Sequence, residues 1–353
     1  MSEINVAVVG CGEVANSHFK AWNKVSSAKV VAVSDLNENL AKNAVEKWKI
    51  PRYYTSMTEL LKLEKVDVVD LCTPPQTHAP LAIEVMNSGT NVIIEKPMTM
   101  TPEDAEKIVE CQKRTGVKAG VIHNWLFESP IVQAKSIVES GQLGEVYNVE
   151  VEAISTKEDS MVANKDHWCH RLPGGRFSEM LAHPIYLVRH FLGEFEVDNV
   201  FVSKIGDYPW MVSDELVATF KVGNKFGRVY ASFNAPRDAI YVDLYGSKGI
   251  LKIDIINATV NFLPGRKVSR FGKGADSLRQ ATQLAGSTIK NVARVGSGRW
   301  LDGHEMYINQ FAECLIKDTE PPVTVEEGFN VVKTLEDMCK LILEQEKNSS
   351  NAI

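Results

Sequence analysis

The stretch Val6-Ala7-Val8-Val9-Gly10-Cys11-Gly12-Glu13-Val14-Ala15 decides how the rest of the chain is read. Four apolar residues rich in valine predict a strand buried on both faces. The Gly-x-Gly-x-x-Ala that follows predicts a tight turn into a helix. Gly10 permits the turn, Gly12 lets backbone approach a pyrophosphate, and Ala15 is small enough for the helix to pack close to the strand. Glu13 and Val14 open that helix, whose free N–H groups and positive dipole end suit phosphates. The next strand ends at Asp35, 25 residues after Gly10, near the spacing expected of a ribose-binding acid. A carboxylate there accepts bonds from ribose hydroxyls and repels a 2′-phosphate. Leu36-Asn37-Glu38-Asn39 bring no cation to hold that phosphate, so NAD is expected over NADP.

Working outward, residues 1–122 alternate strand and helix. Ile4–Val9, Lys29–Ser34, Val66–Cys72, Asn91–Ile94 and Lys118–Ile122 read as buried strands. Asn37–Lys49, Ser56–Leu63, Pro80–Ser88 and Pro102–Gly116 read as amphipathic helices. Such alternation predicts a doubly wound parallel sheet of the Rossmann kind, an NAD-binding domain. Residues 123–353 follow another rhythm and are expected to form a substrate-binding α/β domain. A helix over Pro130–Ser140 precedes strands over Val146–Ala153, Val197–Ile205, Glu215–Val222, Gly227–Phe233, Ala239–Gly246 and Gly249–Ile256. Together they predict a mostly antiparallel open sheet. A helix over Ser178–Leu192 is expected to cover one face, with Pro184 a point where it stops or restarts. The other face is expected to be apolar, which suggests a homodimer or homotetramer. Helices over Gly303–Lys317 and Val325–Gln345 close the chain, with a frayed polar tail over Lys347–Ile353.

Bulk properties narrow the function classes. A chain of 353 residues exceeds one ordinary core, and 44% hydrophobic with 24% charged residues is usual for a globular protein. The formal charge of −6 argues against nucleic acid as a partner. No run approaches a transmembrane segment, and the N-terminus lacks signal-peptide features. The six cysteines are dispersed without a Cys-x-x-Cys pair, which suggests free thiols and a cytoplasmic location. One segment runs against the overall charge. Residues 265–300 hold Arg266, Lys267, Arg270, Lys273, Arg279, Lys290, Arg294 and Arg299 against Asp276, or 8 − 1 = +7. Leu278, Ala281, Leu284, Ala285, Ile289 and Val292 approximate one helical face within this basic insertion. It reads as a solvated insertion, or as an element meeting a substrate phosphate, an acidic subunit or anionic lipid.

Beyond the glycine turn, several motifs recur together: Cys72-Thr73-Pro74-Pro75 with His78, and Glu95-Lys96-Pro97 behind the Asn91–Ile94 strand. Gly120-Val121-Ile122-His123-Asn124, Gly141-Gln142-Leu143-Gly144-Glu145-Val146, and Gly174-Gly175 with His183 follow. In these the chain resembles the glucose–fructose oxidoreductase/inositol dehydrogenase (Gfo/Idh/MocA) family over nearly its whole length. The resemblance implies a dehydrogenase of sugars, sugar derivatives, nucleotide sugars or cyclitols. It implies Lys96 and His183 at the reaction centre, and Thr73, Pro74, His78, Glu95 and Asn124 along the cofactor. The chain departs from the family pattern at Glu179, where Asp is frequent, and at Leu181, where Gly is frequent. It departs again at Asn124-Trp125-Leu126-Phe127, where the family favours Asn-x-Arg-Phe.

Alcohol oxidation needs a proton acceptor and an oriented carbinol beside the nicotinamide. Lys96, at the C-terminal edge of a parallel strand, suits a hydrogen bond to the reacting oxygen. His183 suits proton exchange near neutral pH. Glu179, spaced i,i+4 from it, suits orienting it or binding a substrate hydroxyl. Trp168 and Arg171, in His167-Trp168-Cys169-His170-Arg171, suit a carbohydrate pocket. The same cluster with Glu179 and His183 admits a metal-dependent hydrolase or lyase. Cys169 and His170 are adjacent and diverge in a strand, so no metal is expected. A cofactor-binding sensor without turnover is the remaining reading.

Overall fold

The computed structural model describes residues 3–265, 270–298 and 300–350, with Arg270, Phe271, Ser349 and Ser350 as backbone alone. Contacts divide the chain into Met1–Phe127 with Leu301–Glu336, and Glu128–Trp300 with Asp337–Ile353. In the first unit β1 (Ile4–Val9), β2 (Ala28–Ser34), β3 (Arg52–Tyr54), β4 (Val68–Leu71), β5 (Asn91–Ile94) and β6 (Ala119–Val121) alternate with helices. These are α1 (Ala15–Trp22), α2 (Glu38–Trp48), α3 (Met57–Leu63), α4 (His78–Asn87) and α5 (Pro102–Thr115). The strands form one six-stranded sheet ordered β3-β2-β1-β4-β5-β6, and every pairing is parallel. Val6, Val8, Val33, Val69, Leu71 and Ile93 are wholly buried, as strands covered on both faces require. Local sequence sets the helix ends. Thr101 caps α5 by accepting from Asp104 N–H, Pro102 opens it, and left-handed Gly116 stops it. The three-residue β3 escapes the periodicity because Arg52-Tyr53-Tyr54 offers neither an apolar run nor alternation.

The second unit begins with α6 (Ser129–Glu139). It continues through β7 (Val146–Thr156), α7 (Ser160–Ala163), α8 (Arg176–Met180), α9 (Ala182–Leu192), β8 (Glu196–Ser203) and β9 (Glu215–Val222). β10 (Lys225–Ala235), β11 (Ala239–Gly246), β12 (Gly249–Asp254), β13 (Thr259–Pro264) and α10 (Arg270–Gly296) follow. The seven strands are ordered β13-β12-β11-β7-β10-β9-β8, antiparallel throughout except for the β7–β10 pair. A run expected to reach Ile256 instead turns after Asp254 and returns as β13. α9 lies over β7 and β10 so closely that a Cβ on Gly227 would come 3.1 Å from Val188. The expected single helix over Ser178–Leu192 is two, divided at Leu181. Pro184 falls in the first turn of α9, where its missing N–H leaves no bond unmade.

The outer face of this sheet, expected to be apolar, is mixed. Alternation sends Val149, Val151, Val229, Ala231, Val242 and Leu244 inward. The opposite face carries Glu150, Glu152, Arg228, Asp243 and Lys252 toward its middle, as alternation in a strand covered on one side requires, but also Phe201, Val217, Phe226, Ile250 and Leu263.

The chain then returns to the first unit with α11 (Gly303–Lys317), which begins in an Asp302–Glu305 capping box and packs on α1. Tyr307 and Phe311 are wholly buried, and Gly120 of β6 admits them. A Cβ there would lie 2.4 Å from the Tyr307 hydroxyl. α12 (Val325–Ser350) ends the described chain, running past the expected stop at Gln345 and through most of the tail expected to fray. Residues 351–353 lie outside the described residues.

Candidate functional site

At the switch point of the first sheet, between β1 and β4, the turn after β1 meets the loop after β4. Gly10 has φ +89°, and a Cβ on it would strike the Cys72 carbonyl at 2.7 Å. Gly12 has nothing within 4 Å of its would-be Cβ, so backbone there is open to a ligand. Beside it Glu13 and Val14 are exposed at the mouth of α1, while Ala15 is buried against the sheet. Half-buried Asp35 accepts Cys11 N–H at 2.7 Å and Asn37 N–H at 2.8 Å, which ties the acid to the glycine turn. Burial, with Asp35 adding, pushes the Cys11 thiol up to about 12, so it stays protonated. A glycine cradle and an acid after β2 fit a dinucleotide with its pyrophosphate at α1 and its adenosine ribose at Asp35.

The loop after β4 holds Thr73 and Pro74. His78, wholly buried, lies with Nε2 2.7 Å from the Thr73 carbonyl and Nδ1 3.1 Å from that of Pro97. Burial holds its pKa below the usual value. His78 therefore joins the loop after β4 to the loop after β5, where Lys96 stands half-buried. Asn124, 8% exposed, opens the short turn after β6.

Behind Lys96 lies a buried charged network that sequence reasoning missed. His18 Nδ1 donates to Asp70 Oδ2 at 2.8 Å and Nε2 donates to Glu95 Oε1 at 2.9 Å. Ionised carboxylates only accept, so both ring nitrogens carry protons and His18 is an imidazolium. Burial opposes its charge, yet Asp70 holds its pKa well above the usual value. Burial likewise opposes the Glu95 carboxylate, and His18 and His304 hold it well below the usual range. Trp22 Nε1–H donates to Asp70 at 2.7 Å, and His304 lies 3.4 Å from Glu95. The other Glu95 oxygen accepts Lys96 N–H at 2.9 Å. Four elements thus fix the backbone that presents Lys96. One polar histidine among the apolar residues of α1 was the signal available.

In the second unit Trp168 and Arg171 lie on a short 3₁₀ turn, the first half-buried and the second exposed. Glu179 sits on α8 and His183 on α9, rather than on one continuous helix. Both are buried. Arg176, one turn before Glu179, pairs with its carboxylate inside the protein and stacks 5.2 Å from the Phe233 ring. His183 Nδ1 is 2.7 Å from the Tyr186 hydroxyl, which orients the ring. Arg176 and Tyr186 were legible only as i,i+3 neighbours of the two chosen residues. Among the described residues, sets of three potential metal ligands form at His18–Asp70–Cys72 and His18–Glu95–His304; the segment His167–His170 gathers none.

Residues 4–123 match the GFO_IDH_MocA oxidoreductase family with an NAD-binding Rossmann fold, and residues 131–252 match the GFO/IDH/MocA C-terminal domain. The chain belongs to this family. It is an NAD-binding oxidoreductase, and no helix among the described residues is long and apolar enough to cross a membrane. It is 28% identical to "Oxidoreductase P35" of Formosa agariphila, over 73% of this chain and 82% of that one. It is 26% identical to myo-inositol 2-dehydrogenase of Thermotoga maritima, over 76% and 80%. The WlbA dehydrogenase of Bordetella pertussis, solved with NADH and UDP-GlcNAcA, shares the fold. Its TM-score is 0.80 at 21% identity, over 99% of this chain and 96% of that one.

Proposed function

We propose that this protein is an NAD-dependent dehydrogenase that oxidises, or in reverse forms, a secondary alcohol of a sugar, nucleotide sugar or cyclitol. Lys96 carries the reading: a lysine at the end of a parallel strand, with its backbone held by a buried carboxylate that two histidines flank. The first unit is the cofactor domain, with Gly10, Gly12, Glu13, Val14 and Ala15 at the pyrophosphate and Asp35 at the ribose. Thr73, Pro74 and Asn124 border the same cofactor, while His78 and Glu95 hold its loops from behind. Bound NAD supplies the hydride acceptor. Lys96 donates a hydrogen bond to the reacting oxygen and stabilises its developing charge. His183, oriented by Tyr186, exchanges the hydroxyl proton. Glu179, paired with Arg176, accepts from a substrate hydroxyl, and Trp168 and Arg171 contribute to substrate binding in the second unit. The working form is a cytoplasmic homodimer or homotetramer.

The relatives' inositol and UDP-sugar ligands support the substrate class. The test is NADH formation at 340 nm with inositols, free sugars and UDP-sugars. Turnover on one class is expected. Tight NADH binding without turnover on any of them would favour a sensor instead.

A further inference from the structure

Two stretches that stand out in the sequence carry side chains the proposed reaction does not use. In α10, Lys273, Arg279, Lys290 and Arg294 stand against Asp276, or 4 − 1 = +3, while Arg266, Lys267 and Arg299 lie outside the described residues. Leu278, Ile289 and Val292 are exposed on this helix, and nothing among the described residues covers them. The second stretch, from His167 to Glu179, is better defined. Residues Trp168–Arg171 form the 3₁₀ turn. Gly174 and Gly175, at φ +76° and +58°, lead from it into α8, which packs against that turn.

Arg176, the first residue of α8, is 7% exposed. Its Nη1 pairs with the Glu179 carboxylate, and its guanidinium lies over Phe233 of β10. Its Nε–H has no hydrogen-bond partner among the described residues. The ion pair sums to zero charge, so what this N–H lacks is an acceptor and not a counter-charge. His170, on the adjoining turn, likewise has a buried Nε2 without a partner. Burial holds the His170 pKa below its usual value; the Met161 backbone opposes this, and His167 and Arg176 add to it. The ring is therefore neutral near pH 7, with one N–H and one bare nitrogen. A buried polar atom left unpaired is costly, and here two of them stand on neighbouring elements of the proposed substrate unit.

We propose that Arg176 and His170 form a subsite for a substrate hydroxyl that does not react. Arg176 donates its Nε–H to the hydroxyl oxygen, and His170 Nε2 hydrogen-bonds the same group. A hydroxyl suits both atoms in either tautomer of His170, because it accepts and donates at once. A carboxylate or phosphate suits them less. Arg176 is already paired and His170 is uncharged, so a buried anion there would have no counter-charge. A substrate lacking the hydroxyl leaves the Arg176 N–H buried and unpaired, which is how such a site discriminates. Arg176 thereby determines specificity, besides holding Glu179 in place. The inference rests on the dehydrogenase reading for the class of substrate, but its test can be read from binding as well as from turnover.

The test compares the inositol, sugar or UDP-sugar that gives most NADH with its monodeoxy analogues, on the full chain. Wild type is expected to lose roughly 10²-fold in kcat/KM on one analogue. Arg176→Lys keeps a cation for Glu179 but has a methylene where Nε stands. It is expected to bring the ratio of parent to that analogue close to one, by raising the KM of the parent. His170→Ala is expected to narrow the ratio less. Far-UV circular dichroism and NADH titration should match wild type in both variants. An Arg176 with only a structural role would lower parent and analogue alike, so an unchanged ratio in Arg176→Lys would overturn the proposal. So would a wild type that treats every monodeoxy analogue as it treats the parent. If Arg176→Lys does not fold, an unchanged ratio in His170→Ala overturns it instead. Where no compound is turned over, calorimetry of the same compounds with the NADH complex gives the ratio as affinities. Discrimination lost in Arg176→Lys would then keep the subsite while the dehydrogenase reading falls, and no binding of any compound would overturn both.

Discussion

The two units build function from different materials. In the first, the candidate cofactor site is largely backbone: a glycine turn, strand ends at a topological switch, and one acid that accepts a glycine-turn N–H. In the second, the candidate residues are side chains on short helices, each held by another side chain: Glu179 by Arg176, His183 by Tyr186. Backbone sites are written in contiguous residues, because the conformation of a turn depends on which residues make it. Side-chain sites depend on what packs against them: Arg176 is three residues from Glu179 but stacks on Phe233 of β10.

The strongest way to break this comparison is to remove one proposed reacting group from each unit. Lys96→Met and His183→Ala are both expected to lower turnover about 10²–10⁴-fold, with NADH affinity kept. The measurements are steady-state rates on the substrate found by screening and NADH fluorescence titration. Near-normal turnover in His183→Ala would confine the chemistry to the first unit and leave His183 a packing residue. Glu179→Gln keeps an accepting oxygen and is expected to cost less than either.

Legibility followed the difference between backbone and side-chain sites rather than the boundary between units. The glycine turn, the parallel strands except β3, and the cap of α5 follow from local residue order. The network behind Lys96 did not, because His18, Asp70, Glu95 and His304 come from four separate elements and meet only once the sheet forms and α11 returns to it. The break at Leu181 escaped for a related reason. Pro184 fits the first turn of a helix, but does not show that the helix before it stops at Met180, four residues earlier. The outer sheet face was legible only in part: Phe201 and Phe226 do lie on it, but alternation also brings Glu150, Glu152 and Asp243 there.

The buried network makes a sharper second test, one that needs no substrate. Because the folded His18 pKa lies well above the unfolded value, its contribution is complete below about pH 6.5 and is lost as pH rises toward the folded pKa. One proton held by the folded state and not the unfolded one gives a slope of about −1.4 kcal/mol per pH unit. Urea unfolding from pH 7 to 9 is expected to show that loss in the wild type and a flatter profile in His18→Gln. Parallel profiles would mean that His18 is not the charged centre of the network. On the acid side the depressed Glu95 carboxylate contributes above its unfolded pKa of about 4.3, and that contribution fades as pH falls through the folded one.

The smallest expected effect concerns cofactor choice, and it tests how far a backbone site depends on its single side chain. Asp35 does two things: its charge opposes a 2′-phosphate, and its Oδ2 holds Cys11 N–H in the glycine turn. Asp35→Asn removes the charge and keeps an accepting oxygen, while Asp35→Ser shortens the reach as well. Wild type is expected to bind NADH more tightly than NADPH, read by quenching of tryptophan fluorescence. A hydrogen bond to a charged group contributes about 1.5–3 kcal/mol, so NADH affinity in Asp35→Ser should fall roughly tenfold or more. NADPH affinity should fall less, because lost repulsion offsets the lost bond, and the preference narrows. If Asn narrows it as much as Ser, charge sets the preference. If only Ser does, the tether to Cys11 matters more, and the turn relies on a side chain after all. A wild type that prefers NADPH would remove the role given to Asp35 altogether.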